Sequence, residues 1–207
     1  MLEGQRAAFA NEFDVSRETL AKLDRYAELL SEWQEKMNLV GPSTLPHVWD
    51  RHFRDSAQLL PIAGPGKRWL DVGAGGGFPG LVIAMLDPTA TLVLVESITK
   101  KCRFLSTVAA DTDVADRVNV ANTRIEALEA EQFDIITARA AAALETLFDW
   151  GLRFAGPQTR WLLPKGARTE EELATAAKRF HFDYELIPSR TDSDARIVVA
   201  KAVKRRR

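Results

Sequence analysis

The fold of this chain is decided by the stretch Trp69-Leu70-Asp71-Val72-Gly73-Ala74-Gly75-Gly76-Gly77-Phe78-Pro79-Gly80. Its first residues form a short apolar run, which is typical of a strand covered on both faces. Four glycines in the next five residues permit positive φ angles and a close approach of the backbone to a ligand. Pro79 suits the first turn of a helix, where backbone N–H groups are unpaired. The stretch therefore predicts a strand, a ligand-binding turn and a helix, in that order.

The composition limits the class of protein. The 207 residues are 46% hydrophobic and 28% charged, which predicts a globular domain with a sizeable core. The net charge of −1 argues against a nonspecific nucleic-acid coat. The single cysteine, Cys102, fits a reducing cytoplasm, and no Cys or His spacing predicts a metal site. We also expect no membrane span and no signal peptide, because no apolar run is long enough.

The N-terminal third has helical patterns. Ser16 is a suitable N-cap for a helix whose apolar stripe is predicted to continue to Gly41-Pro42. A second helix is predicted from Pro46 to Pro61. Within it, Arg51 and Asp55 are four residues apart, a spacing that allows an ion pair on one helix face. We interpret these helices as a cap packed on the main domain.

From residue 68 onward, strand patterns alternate with helical ones. The predicted strands are Arg68 to Gly73, Thr91 to Glu96, Val118 to Ala121, Phe133 to Thr137, Arg160 to Leu163, Phe182 to Ile187 and Arg196 to Val203. The predicted helices are Leu81 to Leu86, Thr99 to Ala110, Ala141 to Phe154 and Glu170 to Phe180. The first five strands should be parallel, whereas the last two are joined too closely to be anything but an antiparallel pair. This pattern predicts a seven-stranded α/β main domain over residues 66–207, with residues 1–65 as the helical cap.

Two cofactors fit the glycine-rich turn. The spacing Gly75-x-Gly77-x-x-Gly80 is compatible with an adenosine-containing cofactor. Glu96, at the end of the second strand, can accept hydrogen bonds from the ribose of either NAD or S-adenosylmethionine. Asp71 would repel a pyrophosphate but suits a cationic sulfonium or amino group, although it could also serve only to cap the turn. Asp71 and the terminal hairpin favour S-adenosylmethionine, and an NAD-dependent oxidoreductase is the alternative.

The segments after the later strands suggest what is modified. Ile125 and Glu126 would face an adenine ring, or they would only begin a helix. Arg139 and Lys165 can contact phosphates or pair with local carboxylates. The motif for methylating a base amine is absent, and Cys102 lies away from this edge, which disfavours a cysteine nucleophile. An acceptor that is already nucleophilic, such as guanine N7, remains, and it needs positioning but no general base.

Several motifs occur together along most of the chain. They are Trp33, Asn38-Leu39, Arg51-His52, Asp55-Ser56, the stretch from Asp71 to Gly80, Glu96-Ser97, Lys100-Lys101, Phe104-Leu105, Arg124, Glu126, Arg139-Ala140 and Lys165-Gly166. In this combination the chain resembles the bacterial small-subunit ribosomal RNA guanine-N7 methyltransferase G family. The Gly-Phe-Pro-Gly ending and the Arg-His-x-x-Asp-Ser block are specific as a pair.

The resemblance implies a class I S-adenosylmethionine-dependent methyltransferase with a Rossmann-like sheet, acting on N7 of one guanine in 16S rRNA by positioning, with no certain catalytic residue. It implies cofactor contacts at Gly73, Phe78, Glu96, Ile125, Glu126 and Arg139. It implies RNA contacts at Arg51, His52, Lys100, Arg124 and Lys165. The expected partner is 16S rRNA in the small ribosomal subunit or its precursor, in the cytoplasm, with no membrane and no DNA. A non-catalytic module that binds cofactor and RNA or a protein partner is a further alternative.

Overall fold

A single seven-stranded sheet organises the structure, a computed structural model that describes residues 2–206. Its strands are β1 (Arg68–Val72), β2 (Thr91–Glu96), β3 (Val118–Asn122), β4 (Phe133–Thr137), β5 (Ala155–Lys165), β6 (Phe180–Pro188) and β7 (Arg196–Arg205). Their order is β3-β2-β1-β4-β5-β7-β6. Strands β1 to β5 pair in parallel, and β7 is antiparallel to both β5 and β6. The predicted strand directions are thus confirmed.

In residues 2–206, eight α-helices and four short segments of 3-10 or π-helix surround the sheet. The helices are α1 (Leu2–Glu12), α2 (Arg17–Gln34), α3 (Asp55–Ala57), α4 (Leu60–Ala63), α5 (Gly80–Leu86), α6 (Thr99–Asp111), α7 (Leu144–Gly151) and α8 (Thr169–Ala176). The 3-10 segments are Pro42–His47, Ile125–Ala127 and Leu152–Phe154, and Trp49–Arg54 is a π-helix. In the described part of the chain, no helix has both the length and the apolar character that a membrane crossing requires.

The central strands β1 and β2 are buried on both faces, as the apolar run in β1 predicts. Along β2, Leu92 and Leu94 pack into one core, whereas Val93 and Val95 pack into the other. The first core joins the sheet to the N-terminal helices, α5 and α6, and the second joins it to α7 and α8. Side chains alternate between these cores because successive strand residues point to opposite faces.

Helix α2 begins as predicted and ends earlier than predicted. The hydroxyl of Ser16 accepts a hydrogen bond from the Thr19 N–H at 3.1 Å, which confirms the N-cap. The helix stops at Gln34 and does not reach Gly41-Pro42. The side-chain carbonyl of Gln34 accepts hydrogen bonds from the N–H groups of Leu39 and Val40, so the chain folds back on its own helix end.

The predicted helix from Pro46 to Pro61 is wrong. This segment consists of short 3-10, π and α turns. The ion pair predicted between Arg51 and Asp55 does not form: Arg51 lies 3.6 Å from Asp192, and Asp55 pairs with Arg139. Both side chains still line the same cavity, but folding brings each of them a partner from another part of the chain.

Two further boundaries differ from the sequence pattern. Phe180 begins β6 and does not end a helix, because α8 stops at Ala176. The predicted helix over residues 141–154 is shortened to α7 and a 3-10 turn. The boundary between the helical cap and the main domain stays a prediction. It falls in the turn before β1, where Gly64 and Gly66 have positive φ angles.

Candidate functional site

A cavity of about 1090 Å³ lies at the carboxyl ends of the central strands. Strand β1 lies between β2 and β4, which are reached by chain crossings in opposite directions, and ligands of open α/β sheets bind at such a position. The walls come from the glycine-rich turn, the ends of β2 and β4, the 3-10 segment Ile125–Ala127 and the loop before the π-helix. The cavity therefore brings together segments that are distant in sequence.

The glycine-rich turn requires glycine at several positions. Gly73 has φ +70°, and a Cβ there would lie 2.9 Å from the Cβ of Ala141. Gly77 has φ +89°, and a Cβ there would lie 2.5 Å from Leu81 and 2.6 Å from the hydroxyl oxygen of Tyr26. Real side chains do not fit such spacings, so these positions require glycine, and the backbone of the turn forms part of the cavity wall.

Asp71 is completely buried beneath the turn. Its Oδ2 accepts a hydrogen bond from the N–H of Gly80 at 3.0 Å, at the start of α5. Burial raises the pKa of the Asp71 carboxyl to about 7, although the hydrogen bond from Gly80 and the cation of Arg139 oppose this. Within residues 2–206, Oδ1 has no hydrogen-bond partner. Of the two predicted interpretations, the structure therefore shows Asp71 capping the turn and does not place it on the cavity wall.

Glu96 lies on the cavity wall at the end of β2. Its Oε2 accepts from the N–H of Gly75 at 3.1 Å, and its Oε1 accepts from the N–H of Ile98 at 2.8 Å. Each carboxylate oxygen has a second lone pair, so Glu96 can still accept hydrogen bonds from a ribose. The two backbone contacts fix the direction in which those lone pairs point.

The predicted adenine-facing residues also reach the cavity. Ile125 is 6% exposed and presents an apolar surface on the wall. Glu126 is exposed, and its carbonyl oxygen accepts a hydrogen bond from Arg153 at 2.9 Å. These two residues begin a short 3-10 helix with Glu126 in its first turn, so the rival interpretation as a helix start also describes them.

Arg139 and Phe78 meet in the wall of the same cavity. The guanidinium carbon of Arg139 lies 4.8 Å from the centre of the Phe78 ring. Tyr26 stacks on Phe78 with ring centres 5.1 Å apart, and His52 stacks on it at 4.7 Å. The carboxylate of Asp55 lies 3.2 Å from Arg139. Sequence reasoning missed Tyr26, although its position on the apolar stripe of α2 could have identified it as a buried polar group.

Two of the predicted RNA-contact residues are committed to internal contacts. His52 is 6% exposed, and burial together with the cations of Arg139 and Arg51 lowers the pKa of its imidazole to about 3. It is therefore neutral and does not contribute a charge to a surface. Lys165 forms an ion pair with Glu172 at 2.9 Å and has only 9% of its side chain exposed.

The other three predicted RNA-contact residues are exposed. Arg51 lies beside the cavity with its weak partner Asp192. Lys100 is on the outer surface at the start of α6, and Arg124 is on the cavity wall. Neither Lys100 nor Arg124 forms an ion pair with any residue in the range 2–206.

A second cavity of about 520 Å³ adjoins the first. The two cavities share Arg51, Asp55 and Arg139 in their walls. The second is also lined by Arg168 and Arg196, which sequence reasoning did not identify. Arg139 therefore lines both cavities, and the wall of the second combines several cations with the carboxylates of Asp55, Glu172 and Asp192.

Comparison with known proteins identifies the group to which this site belongs. A family model for the rRNA small subunit methyltransferase G family matches residues 19–195. The chain is 45% identical over 205 residues to the ribosomal RNA small subunit methyltransferase G of Methylorubrum extorquens, covering 97% of this chain and 96% of that protein. It is 41% identical to the protein of the same name from Rhizorhabdus wittichii, covering 93% and 89%.

Solved structures with low sequence identity share the fold. A fibrillarin from Aeropyrum pernix, crystallised with natively bound S-adenosyl-L-methionine, has a TM-score of 0.57 at 18% identity and covers 72% of this chain and 74% of its own. An O-methyltransferase-like protein from Klebsiella pneumoniae has a TM-score of 0.59 at 16% identity and covers 87% and 89%. The sheet is thus that of the class I methyltransferases, and the chain belongs to the rRNA small subunit methyltransferase G family.

Proposed function

We propose that this protein transfers a methyl group from S-adenosylmethionine to N7 of one guanine in 16S rRNA, within the small ribosomal subunit or its precursor. A cytoplasmic location belongs to this proposal, because ribosomal RNA is there. DNA and membranes have no part in it. The proposal rests on family membership together with one observation: Arg139 lines both a cofactor-sized cavity and an adjoining cleft to which Arg168 and Arg196 also contribute.

The residues of the larger cavity fit S-adenosylmethionine. Its volume is that of a small-molecule site. The close approach at Gly73, the apolar surface of Ile125 and the carboxylate of Glu96 suit a backbone-held adenosine. When bound, S-adenosylmethionine supplies an electrophilic methyl group on a sulfonium. We assign Gly73, Phe78, Glu96, Ile125, Glu126 and Arg139 to cofactor contacts, with Glu96 at the ribose.

The chemistry at the acceptor requires orientation and no proton removal. Guanine N7 has a free lone pair, so attack on a methyl group needs no general base. The neutral imidazole nearest this region, His52, has its Nδ1 lone pair occupied by Arg139 at 2.8 Å. The protein therefore contributes by holding the base in line with the methyl group, and alignment alone can lower a barrier by about 7–11 kcal/mol.

The charges around the second cavity support an RNA substrate. Arg168 and Arg196 line the cleft next to Arg139, and Arg51 forms the boundary with the larger cavity. Cations in such a groove contact phosphates and fix the register of the strand, while the base itself enters the pocket. Lys100 and Arg124 extend this positive surface toward the glycine-rich turn in our proposal.

The decisive experiment tests which atom of the acceptor guanine receives the methyl group. A 16S rRNA transcript is incubated with the protein and labelled S-adenosylmethionine, naked and as assembled small subunits. Borohydride and aniline then cleave the RNA at N7-methylguanine. We expect one cleavage site. A transcript with 7-deazaguanine at that site has the same shape but a carbon in place of N7, so it should accept no label.

Two results would overturn the proposal. Label that persists on the 7-deazaguanine transcript would mean that another atom is methylated. Tight binding of S-adenosylhomocysteine with no transfer to either form of the RNA would favour a non-catalytic module. DNA of the same sequence serves as the control substrate and should remain unlabelled.

A further inference from the structure

A polar chain runs from Arg139 through His52 into the loop before the π-helix. Nη2 of Arg139 lies 2.8 Å from Nδ1 of His52. Nε2 of His52 lies 2.8 Å from Oγ1 of Thr44. The hydroxyl of Thr44 donates to the carbonyl oxygen of Gly41 at 2.7 Å. The chain thus joins the end of β4 to a segment almost a hundred residues earlier.

The donors in this chain determine the position of the imidazole proton. A guanidinium has only donors, so Nδ1 of His52 must accept from Arg139. The single hydroxyl hydrogen of Thr44 is used by Gly41, so Nε2 of His52 must donate to Thr44. His52 therefore carries its proton on Nε2 and is neutral. A second proton on Nδ1 would place two N–H groups face to face.

The charged groups around His52 also favour the neutral imidazole. Arg139 from β4 and Arg51 from the π-helix both lower the pKa of His52, in addition to burial. The carboxylates nearby have other partners: Asp55 pairs with Arg139, and Asp192, from the turn between β6 and β7, pairs with Arg51. His52 itself has no carboxylate partner within residues 2–206.

We propose that His52 is a positioning residue: as a neutral acceptor it holds the guanidinium of Arg139 on the Phe78 ring, at the boundary of the two cavities. Asp55 and the carbonyl oxygen of Arg51 hold the other terminal nitrogen, at 3.2 and 3.1 Å. These contacts use three of the five guanidinium donors, and two remain for a ligand. The inference rests on the proposed function only in assigning that ligand to the methyl-transfer site.

Two near-isosteric substitutions test the contacts of Nδ1 and Nε2 of His52 separately. His52→Asn can place a carbonyl oxygen where Nδ1 lies and so keep the acceptor for Arg139. His52→Gln reaches the Nε2 position and keeps only the contact with Thr44. We expect His52→Gln to lower kcat about 10- to 100-fold, the effect of misplacing a reacting group by about 1 Å. His52→Asn should lose far less, and the exposed His181→Asn is the control. Equal losses in the Asn and Gln variants would overturn the proposal.

A double variant tests whether His52 acts through Arg139. In an Arg139→Ala background, His52→Gln should reduce kcat no further, because the group that it positions is gone. Additive losses would mean that His52 acts independently and would contradict the proposal. The KM for RNA should change much less than kcat in His52→Gln, whereas a direct RNA contact would change KM first.

An NMR measurement tests the proposal without any activity. In protein labelled with 15N-histidine, the three imidazoles are assigned with the His52→Asn and His181→Asn variants. We expect His52 to show a protonated Nε2 and an unprotonated Nδ1 from pH 5 to pH 8. Titration in that range, or a proton on Nδ1, would overturn the proposal. If this spectrum is as expected but no RNA is methylated, the proposed function fails and the positioning of Arg139 stands.

Discussion

The hydroxyl of Tyr26 donates a hydrogen bond to the carbonyl oxygen of Gly76, 50 residues later in the chain. Tyr26 is fully buried on α2, and its ring stacks on Phe78. The contact fastens α2 to the glycine-rich turn, so the N-terminal helices take part in shaping the larger cavity. The Gly77 position is closed to any larger residue by the same hydroxyl.

Tyr26→Phe removes this contact while keeping the aromatic stack. The buried carbonyl of Gly76 loses its partner, so we expect the free energy of unfolding to fall by about 1–3 kcal/mol. The turn should also become less ordered, which should weaken binding of S-adenosylhomocysteine. Urea titration and calorimetry measure the two effects. Tyr184→Phe, at an exposed position of β6, is the matched control. An unchanged free energy of unfolding would contradict the structural role of Tyr26.

Glu96→Ala should raise the Kd for S-adenosylhomocysteine by roughly 5- to 150-fold, which corresponds to about 1–3 kcal/mol for the loss of a charged acceptor. Glu96→Gln keeps one acceptor oxygen and should have a smaller effect. Calorimetric titration gives both values, and Glu129→Ala, at an exposed position, is the control. Equal affinity of all three variants and the wild type would exclude Glu96 from the ribose site.

Lys165→Ala and Arg168→Ala should separate stability from RNA binding. Lys165 is paired with Glu172 and donates to the carbonyl oxygen of Ala142 at 2.7 Å. Its removal should lower the free energy of unfolding by about 1–3 kcal/mol, because it leaves a partly buried acceptor unpaired.

Arg168 is exposed at the second cavity, so Arg168→Ala should leave the free energy of unfolding unchanged. In a plot of log affinity for rRNA against log salt concentration, it should reduce the magnitude of the slope by about 1. That change corresponds to the loss of one phosphate contact. A filter-binding assay over a range of salt concentrations measures this slope. A slope change for Lys165→Ala alone would reverse the two assignments.

His52 and Asp71 should give opposite dependences of stability on pH. The pKa of His52 falls from 6.5 to about 3 on folding, so the unfolded chain binds the extra proton below pH 6.5, and the stability contributed by this group is lost as the pH falls toward 3. The pKa of Asp71 rises from 3.8 to about 7, so its contribution is present below pH 3.8 and is lost as the pH rises through 7.

The free energy of unfolding of the wild type minus that of His52→Asn should therefore rise with pH below 6.5, by at most about 1.4 kcal/mol per pH unit. The corresponding difference for Asp71→Asn should fall over pH 3.8 to 7, with the same limit. Urea denaturation at half-unit steps of pH measures both. Slopes of the same sign would contradict one of the two burial effects.

The sequence by itself determined the strand directions of the sheet and the glycine-rich turn. The strand directions follow from local information, since the spacing of apolar residues and the length of each connection decide which strands can be parallel. The demand for glycine at Gly73 and Gly77 is also local, because only glycine readily adopts those φ angles. Pattern alone failed in the segment of residues 42–63: Trp49, Phe53 and Ala57 are buried at the four-residue spacing of one helix, yet the backbone is divided into short 3-10, π and α turns.

Only the tertiary structure decided the charge and the partner of each polar side chain at the site. Arg139 meets Asp55 and His52 across 84 and 87 residues of sequence, a separation at which no spacing rule applies. The sequence suggested His52 and Lys165 as cations of an RNA face, yet folding buries the first as a neutral imidazole and pairs the second with Glu172. Protonation and pairing depend on burial and on neighbouring charges, and both exist only after the chain has folded.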